Sequence, residues 1–135
     1  MPNTPSSSSK TPVIVLENAD LSLGSDAASV HILKGISLQI NAGESVGILG
    51  PSGAGKTSLL MILAGLETLS NGRITLDSTD ITGLDEDSLA ALRRDLVGIV
   101  FQAFRLIPSL TALQNVTIPL ELAGRDDADD IAKAA

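Results

Sequence analysis

Apolar positions fall along the chain in blocks whose spacing changes from one block to the next. Val13–Leu16 and Ile36–Ile40 cluster β-branched and aliphatic residues on either side of a small, polar stretch at Gly24–Ser29, which predicts two strands joined by a loop. Asn41-Ala42-Gly43-Glu44 carries turn chemistry, because Asn and Gly tolerate positive φ, and it leads into Ser45–Leu49, a candidate buried strand. From Thr57 to Leu66 nearly every residue is apolar, so a helix there would present apolar groups on all sides and be buried, with Gly65 able to stop it. Asn71-Gly72 reads as a turn before a third strand at Arg73–Asp77, whose Ile74 and Leu76 point one way and which extends the first two.

Further on, Asp85–Arg94 has carboxylates at its start and Arg93-Arg94 at its end. That arrangement complements a helix dipole at both termini and predicts a surface helix. Val97–Phe101 is a second candidate buried strand, followed by an irregular stretch to Pro108. Thr111-Ala112-Leu113-Gln114 has the spacing of a capping box, so a helix starts there, and Pro119 is expected to kink or end it. The aspartates among Asp126–Asp130 suit one more helix N-terminus. There is no internal repeat of solenoid type.

Composition narrows the function classes. The 135 residues suit a single domain or a piece of one, with 44% hydrophobic residues to form a core. A net charge of −7 gives no basic field for nucleic acid, and no apolar run is long enough to cross a bilayer, so any membrane link is expected to run through a partner. With no cysteine there are no disulfides and no thiolate metal sites. Met1–Pro12 is polar and reads as a flexible tail rather than a secretory signal. The two aromatic residues, Phe101 and Phe104, stand close together, an odd placement for core filling alone.

The chemistry concentrates at Gly50-Pro51-Ser52-Gly53-Ala54-Gly55-Lys56-Thr57, which satisfies G-x-x-x-x-G-K-[ST] between an expected strand and an expected helix. Glycines let the backbone curl so that successive N–H groups point at phosphate oxygens, and the following helix adds the positive end of its dipole. Lys56 is expected to reach the β- and γ-phosphates, Thr57 to coordinate magnesium, and Ser58 to contact the α-phosphate. A chance match in so short a chain occurs on the order of one time in a hundred or less. The bland alternative is a Gly-rich turn. His31, the only histidine, is read as a surface or strand residue, and Arg93-Arg94 as a solvated helix end.

A phosphate loop alone also fits GTPases, small-molecule kinases and helicases. Three stretches choose among them. Ile32-Leu33-Lys34-Gly35-Ile36-Ser37-Leu38-Gln39-Ile40 with Ala42-Gly43-Glu44 resembles the strand and turn that precede the loop in ABC transporter ATP-binding domains; the loop itself, through Leu60, looks like that family's version. Val97–Pro108 with Leu110–Val116 resembles its Q-loop region, and the wording from Leu113 to Leu122 is similar to the branch serving lipoprotein release and macrolide export. A small-molecule kinase is disfavoured because about fifty residues precede the loop and read as strands.

The resemblance implies an α/β phosphate-loop fold with an N-terminal antiparallel β portion, covering 13–135 as a partial ATP-binding domain. The β portion and nucleotide core would run to about residue 108, and a helical subdomain would start at 109. It further implies ATP and Mg2+ as ligands and catalytic roles for Lys56 and for Gln102, the latter approaching magnesium and the attacking water. A transmembrane permease and a second ATP-binding domain are the implied partners, and the implied location is cytoplasmic, peripheral on the inner face of the plasma membrane. Phe104, Leu106 and Ile107 are expected either in a core or as a surface for a partner helix.

Two departures matter. Leu23 stands where the family usually stacks an aromatic residue on adenine, so selectivity among nucleoside triphosphates is expected to be weak. The chain also ends before a signature motif, before an apolar strand ending in Asp-Glu and before a switch histidine, so the 135 residues alone are expected to bind nucleotide without turning it over. The competing class is a truncated, non-hydrolysing nucleotide-binding or interaction module, distinguished by whether the reading frame continues past codon 135.

Overall fold

A computed structural model describes residues 11–25, 27–103 and 105–134; most of the N-terminal tail and Phe104 lie outside the described residues. Two long strands come first, β1 (Pro12–Leu23) and β2 (Val30–Asn41), then helix α1 (Lys56–Leu63). Strand β3 (Asn71–Leu76), the short β4 (Thr79–Asp80) and helices α2 (Glu86–Leu96), α3 (Ala112–Leu122) and α4 (Ala128–Ala134) follow. The strands form one antiparallel sheet in the order β2-β1-β3-β4. Two compact units result, one ending at Leu84 and one beginning at Asp85.

In the first unit β1 is an inner strand, paired on both sides, and its apolar residues break strict alternation. Leu16, Ala19 and Leu21 are all buried although 16 and 19 differ in parity. A bulge repairs this: Leu16 pairs with Leu38 and Ala19 with Ile36, so two residues of β1 oppose one of β2, and Asn18 takes φ 47° with its N–H on the Ser37 hydroxyl. A second irregularity puts Gly35 at φ 58°, its N–H held by the Asp20 carboxylate at 2.8 Å. With parity restored, Leu16, Leu21, Leu33, Ile74 and Leu76 are buried from the sheet, and Leu59, Ile62 and Leu63 from α1.

Several local expectations hold. Glu44 N–H donates to the Asn41 carbonyl at 3.1 Å, and the Glu44 carboxylate returns to Asn41 N–H at 2.8 Å, closing the turn. Helix α2 begins after Asp85, with Glu86 and Asp87 in its first turn and Arg93 and Arg94 in its last. Arg93 reaches Glu86 and Arg94 lies 3.0 Å from Asp95, so both contact carboxylates near the helix they end. The Thr111 and Gln114 capping box is formed in both directions. Helix α4 starts among the aspartates and packs on α3, with Ala128 and Ala132 buried four residues apart on one face.

Other expectations are overturned. Ser45–Leu49 and Val97–Phe101 pair with no strand among the described residues, and Leu49 and Val100 are 96% and 100% exposed. An apolar run supplies propensity, but a strand exists only through a neighbour's N–H and C=O groups. Asn71-Gly72 is not a turn; it opens β3, where Gly72 at φ 96° lies against the Glu17 and Asn18 carbonyls at the β1 bulge. The turn falls at Asp77-Ser78, with φ of 44° and 67°, the sign that joins tight hairpins. Helix α1 does end at the expected Gly65 stop, with Ala64 as its C-cap and Gly65 at φ 70° just beyond, but it is not buried on all sides, since Leu60 is 54% exposed. Pro119 does not end α3, which runs on to Leu122.

Candidate nucleotide-binding site

The loop from Gly50 to Gly55 wraps the N-terminus of α1. Gly53 at φ 81° and Gly55 at φ 91° take backbone conformations that L side chains rarely adopt, which is why glycine stands at both. Ala54 N–H donates to the Pro51 carbonyl at 3.2 Å and Leu59 N–H to the Gly55 carbonyl at 2.9 Å. Among the described residues the N–H groups of Gly53, Gly55, Lys56, Thr57 and Ser58 find no acceptor. No side chain caps α1, and its first turn has no acidic residue. An uncapped N-terminus with five unpaired donors is an anion site in its electrostatics.

Lys56 completes it. Its ammonium donates to the carbonyls of Gly50 at 2.6 Å and Pro51 at 2.7 Å, which bends the side chain back over the loop and leaves one of three donors unused. The cavity beside the loop holds about 400 Å³ and is lined by Ser52, Gly53, Gly55, Lys56, Thr57, Ser58 and Ile32. That volume lies within the range of small-molecule sites. Gly50, Pro51 and Ala54 shape the loop from outside this lining.

Ile32 is the residue that sequence reasoning missed. Leu21 pairs with Leu33 and Ser22 with His31, so Ile32 is an extra residue on β2, and the bulge directs it to the cavity instead of along the sheet. The approach is close: a β-carbon on Gly55 would lie 3.1 Å from Ile32 Cγ2 and 3.2 Å from Leu33 Cδ2. Broken alternation around Ile32-Leu33 was the only available signal. Leu23 ends β1 opposite Val30, 42% exposed, and is not part of the cavity lining. His31, on β2, has a carboxylate neighbour, with Nε2 3.3 Å from Asp20 Oδ1.

Gln102 belongs to the second unit, in an exposed bend where its side chain has no hydrogen-bond partner among the described residues. The Arg105 guanidinium sits 4.8 Å from the centroid of the Phe101 ring, and Arg105 has φ 44°. Leu106 and Ile107 follow, 62% and 45% exposed, which answers the earlier alternative against a core position for these two.

Comparisons with known proteins agree with this geometry. The macrolide export ATP-binding/permease protein MacB of Marinobacter nauticus is 44% identical over 93% of the chain, which spans 20% of MacB. The lipoprotein-releasing system ATP-binding protein LolD of Bacteroides fragilis is 46% identical over 83% of the chain and 50% of LolD. In a dimeric, post-hydrolysis structure of the ATP-binding cassette MJ0796 bound to ADP and Pi, the likeness has a TM-score of 0.83 at 36% identity, over 90% of this chain and 54% of that one. The chain therefore spans half or less of the two curated relatives. The ABC transporter family profile matches residues 33–135, and with the phosphate loop, the α/β cassette fold and these relatives in agreement, the chain belongs to the ABC transporter family.

Proposed function

We propose that this chain carries the nucleotide-binding surface of an ABC transporter ATPase, taking up magnesium ATP at Gly50–Ser58 and coupling its binding and hydrolysis to a membrane permease. The observation that carries the reading is the set of N–H groups of Gly53, Gly55, Lys56, Thr57 and Ser58, without an acceptor among the described residues, around a lysine already bent over the loop. Such a cradle favours an anion with several oxygens in succession, as a triphosphate has. Lys56 supplies charge to the outer phosphates, Ser58 contacts the α-phosphate, and Ile32 gives an apolar wall beside the loop.

Magnesium fits this donor set. Among the described residues no three His, Cys, Asp or Glu side chains form a cage, and Mg2+ typically takes one or two protein oxygens together with phosphate and water. The Thr57 hydroxyl, on the cavity wall, would be one such oxygen. Bound there, the ion would neutralise charge between the β- and γ-phosphates. Gln102 is proposed to approach magnesium and the attacking water, and Leu23 to contact the base. The domain proposal is a tail at 1–12, a nucleotide-binding part to about 108 and a helical subdomain from 109.

The permease is the proposed partner of the exposed segment after Gln102, with Leu106 and Ile107 as its apolar contacts. A second ATP-binding domain is proposed by likeness to the dimeric MJ0796 cassette. The proposed location is cytoplasmic, at the inner face of the membrane. No helix among the described residues is long and apolar enough to cross it, which supports attachment through a partner.

Titration of magnesium ATP into wild type and Lys56→Ala tests the core of the proposal. Losing a charge-assisted contact of about 2–3 kcal/mol corresponds to roughly 30- to 150-fold weaker binding. Equal affinities would refute nucleotide binding at this loop. The 135 residues include no general-base strand ending in Asp-Glu, so binding without turnover is expected of this chain; steady, Lys56-dependent phosphate release would overturn that part alone.

A further inference from the structure

The Asp20 carboxylate of β1 grips β2 at both ends of the segment that meets the phosphate loop. Its Oδ1 accepts Gly35 N–H at 2.8 Å and lies 3.3 Å from His31 Nε2. Ile32, Leu33 and Lys34 stand between those two contacts, and β2 departs from simple pairing on both sides of Leu33. Ile32 is extra between the Ser22–His31 and Leu21–Leu33 pairs. Lys34 and Gly35 together oppose Asp20 alone, with Gly35 at φ 58°. A bulge locally disrupts the ladder, so the position of this segment depends on contacts other than strand pairing. Asp20 is itself anchored from the other side, since it pairs with Asn71 of β3 and its carbonyl accepts Ser70 N–H at 2.9 Å.

The gripped segment carries part of the site. Ile32 lines the cavity, and a β-carbon on Gly55 would meet Ile32 Cγ2 at 3.1 Å, Leu33 Cδ2 at 3.2 Å and the Ile32 carbonyl oxygen at 3.3 Å. An aliphatic side chain offers phosphate oxygens no donor, so the surface Ile32 favours is that of a ribose or base. We propose that Asp20 is a positioning residue for the nucleotide site, its carboxylate setting the β2 bulge so that Ile32 contacts the nucleoside while the loop holds the phosphates. This rests on the nucleotide reading above. Of the two contacts the Gly35 hydrogen bond dominates, because it is short and charge-assisted, whereas the His31 pair joins side chains that are 46% and 28% exposed. Asp20 does not line the cavity; it acts through the segment it holds.

The test titrates magnesium ATP and magnesium tripolyphosphate into this chain as wild type, Lys56→Ala, Asp20→Ala, Asp20→Asn, Ile32→Ala and the double variant Asp20→Ala/Ile32→Ala. Far-UV circular dichroism checks folding. Tripolyphosphate keeps the phosphates and lacks the nucleoside. Asp20→Ala and Ile32→Ala should each weaken magnesium ATP binding by roughly tenfold and leave tripolyphosphate within about twofold, a contrast that general destabilisation would not produce. Asp20→Asn keeps an oxygen for Gly35 N–H and should restore most of the affinity. In the double variant the second substitution should add little, because both act through one contact. If Asp20→Ala proves unfolded, Asp20→Glu, which keeps the acceptor on an arm one methylene longer, takes its place with the same expected contrast. Undiminished ATP affinity, equal losses for both ligands, additive losses in the double variant, or an Asp20→Asn protein no better than Asp20→Ala overturns the role of Asp20. Weaker binding of both ligands to Lys56→Ala leaves the nucleotide reading standing in each of those cases. Binding of both ligands to Lys56→Ala as tightly as to wild type overturns the reading and the role together.

Discussion

Three glycines with positive φ allow backbone strain to be separated from steric overlap, and the sharpest case is Gly72→Ala. Gly72 sits at φ 96°, where a β-carbon would lie 2.4 Å from the Asn18 carbonyl oxygen and 2.6 Å from that of Glu17. Both are backbone atoms of β1, an inner strand, and cannot rotate away. Strain at such a φ is about 1–3 kcal/mol, and overlap inside a packed structure adds about 1–3 kcal/mol. Gly53→Ala at φ 81° meets nothing within 4 Å and should show the strain alone. Gly55→Ala at φ 91° combines strain with 3.1 Å and 3.2 Å contacts to Ile32 and Leu33 side chains, which can yield slightly. Urea unfolding followed by far-UV circular dichroism should rank the losses Gly72 > Gly55 > Gly53, the first at about 2–6 kcal/mol. Titration with magnesium ATP should show a different order. Gly53 and Gly55 line the cavity, so their variants lose affinity even where folded, whereas folded Gly72→Ala keeps it. A Gly72→Ala protein as stable as wild type would refute the close β1–β3 contact on which the argument depends.

Other consequences are more local. Thr111→Ala removes the hydroxyl that accepts Gln114 N–H and should cost about 1 kcal/mol, seen as a lower urea midpoint of the second unit. The Asp80 carboxyl is held below its ordinary 3.8 by hydrogen bonds from Thr82 and then by the Arg73 charge. A depressed carboxylate stabilises the fold above 3.8 and loses that contribution as pH falls through its folded value, so acid unfolding of wild type should be steeper below pH 3.8 than that of Asp80→Asn. Parallel acid limbs in the two proteins would count against it. Leu23→Tyr should tighten ATP binding relative to other nucleoside triphosphates by about fivefold, from a stacking contribution near ~1 kcal/mol. An unchanged ratio in a competition assay would remove Leu23 from the base site.

Those features that depend on neighbours in sequence could be read from the chain itself. The phosphate loop is eight consecutive residues, and its cradle needs only their φ values and the helix they start. The Asn41–Glu44 turn, the Thr111 capping box and the charge order of α2 are likewise closed by hydrogen bonds or fields reaching three or four residues. Tertiary structure decided what depends on distant partners. Ser45–Leu49 and Val97–Phe101 have strand composition but gain no strand pairing, since pairing is made by another segment's backbone. Gly72 looks like a turn residue until the Asn18 and Glu17 carbonyls are placed against it, from residues far away in sequence. Ile32 reaches the cavity because a bulge in one long hairpin breaks alternation, and bulges follow from fitting two buried faces together rather than from any residue's own preference.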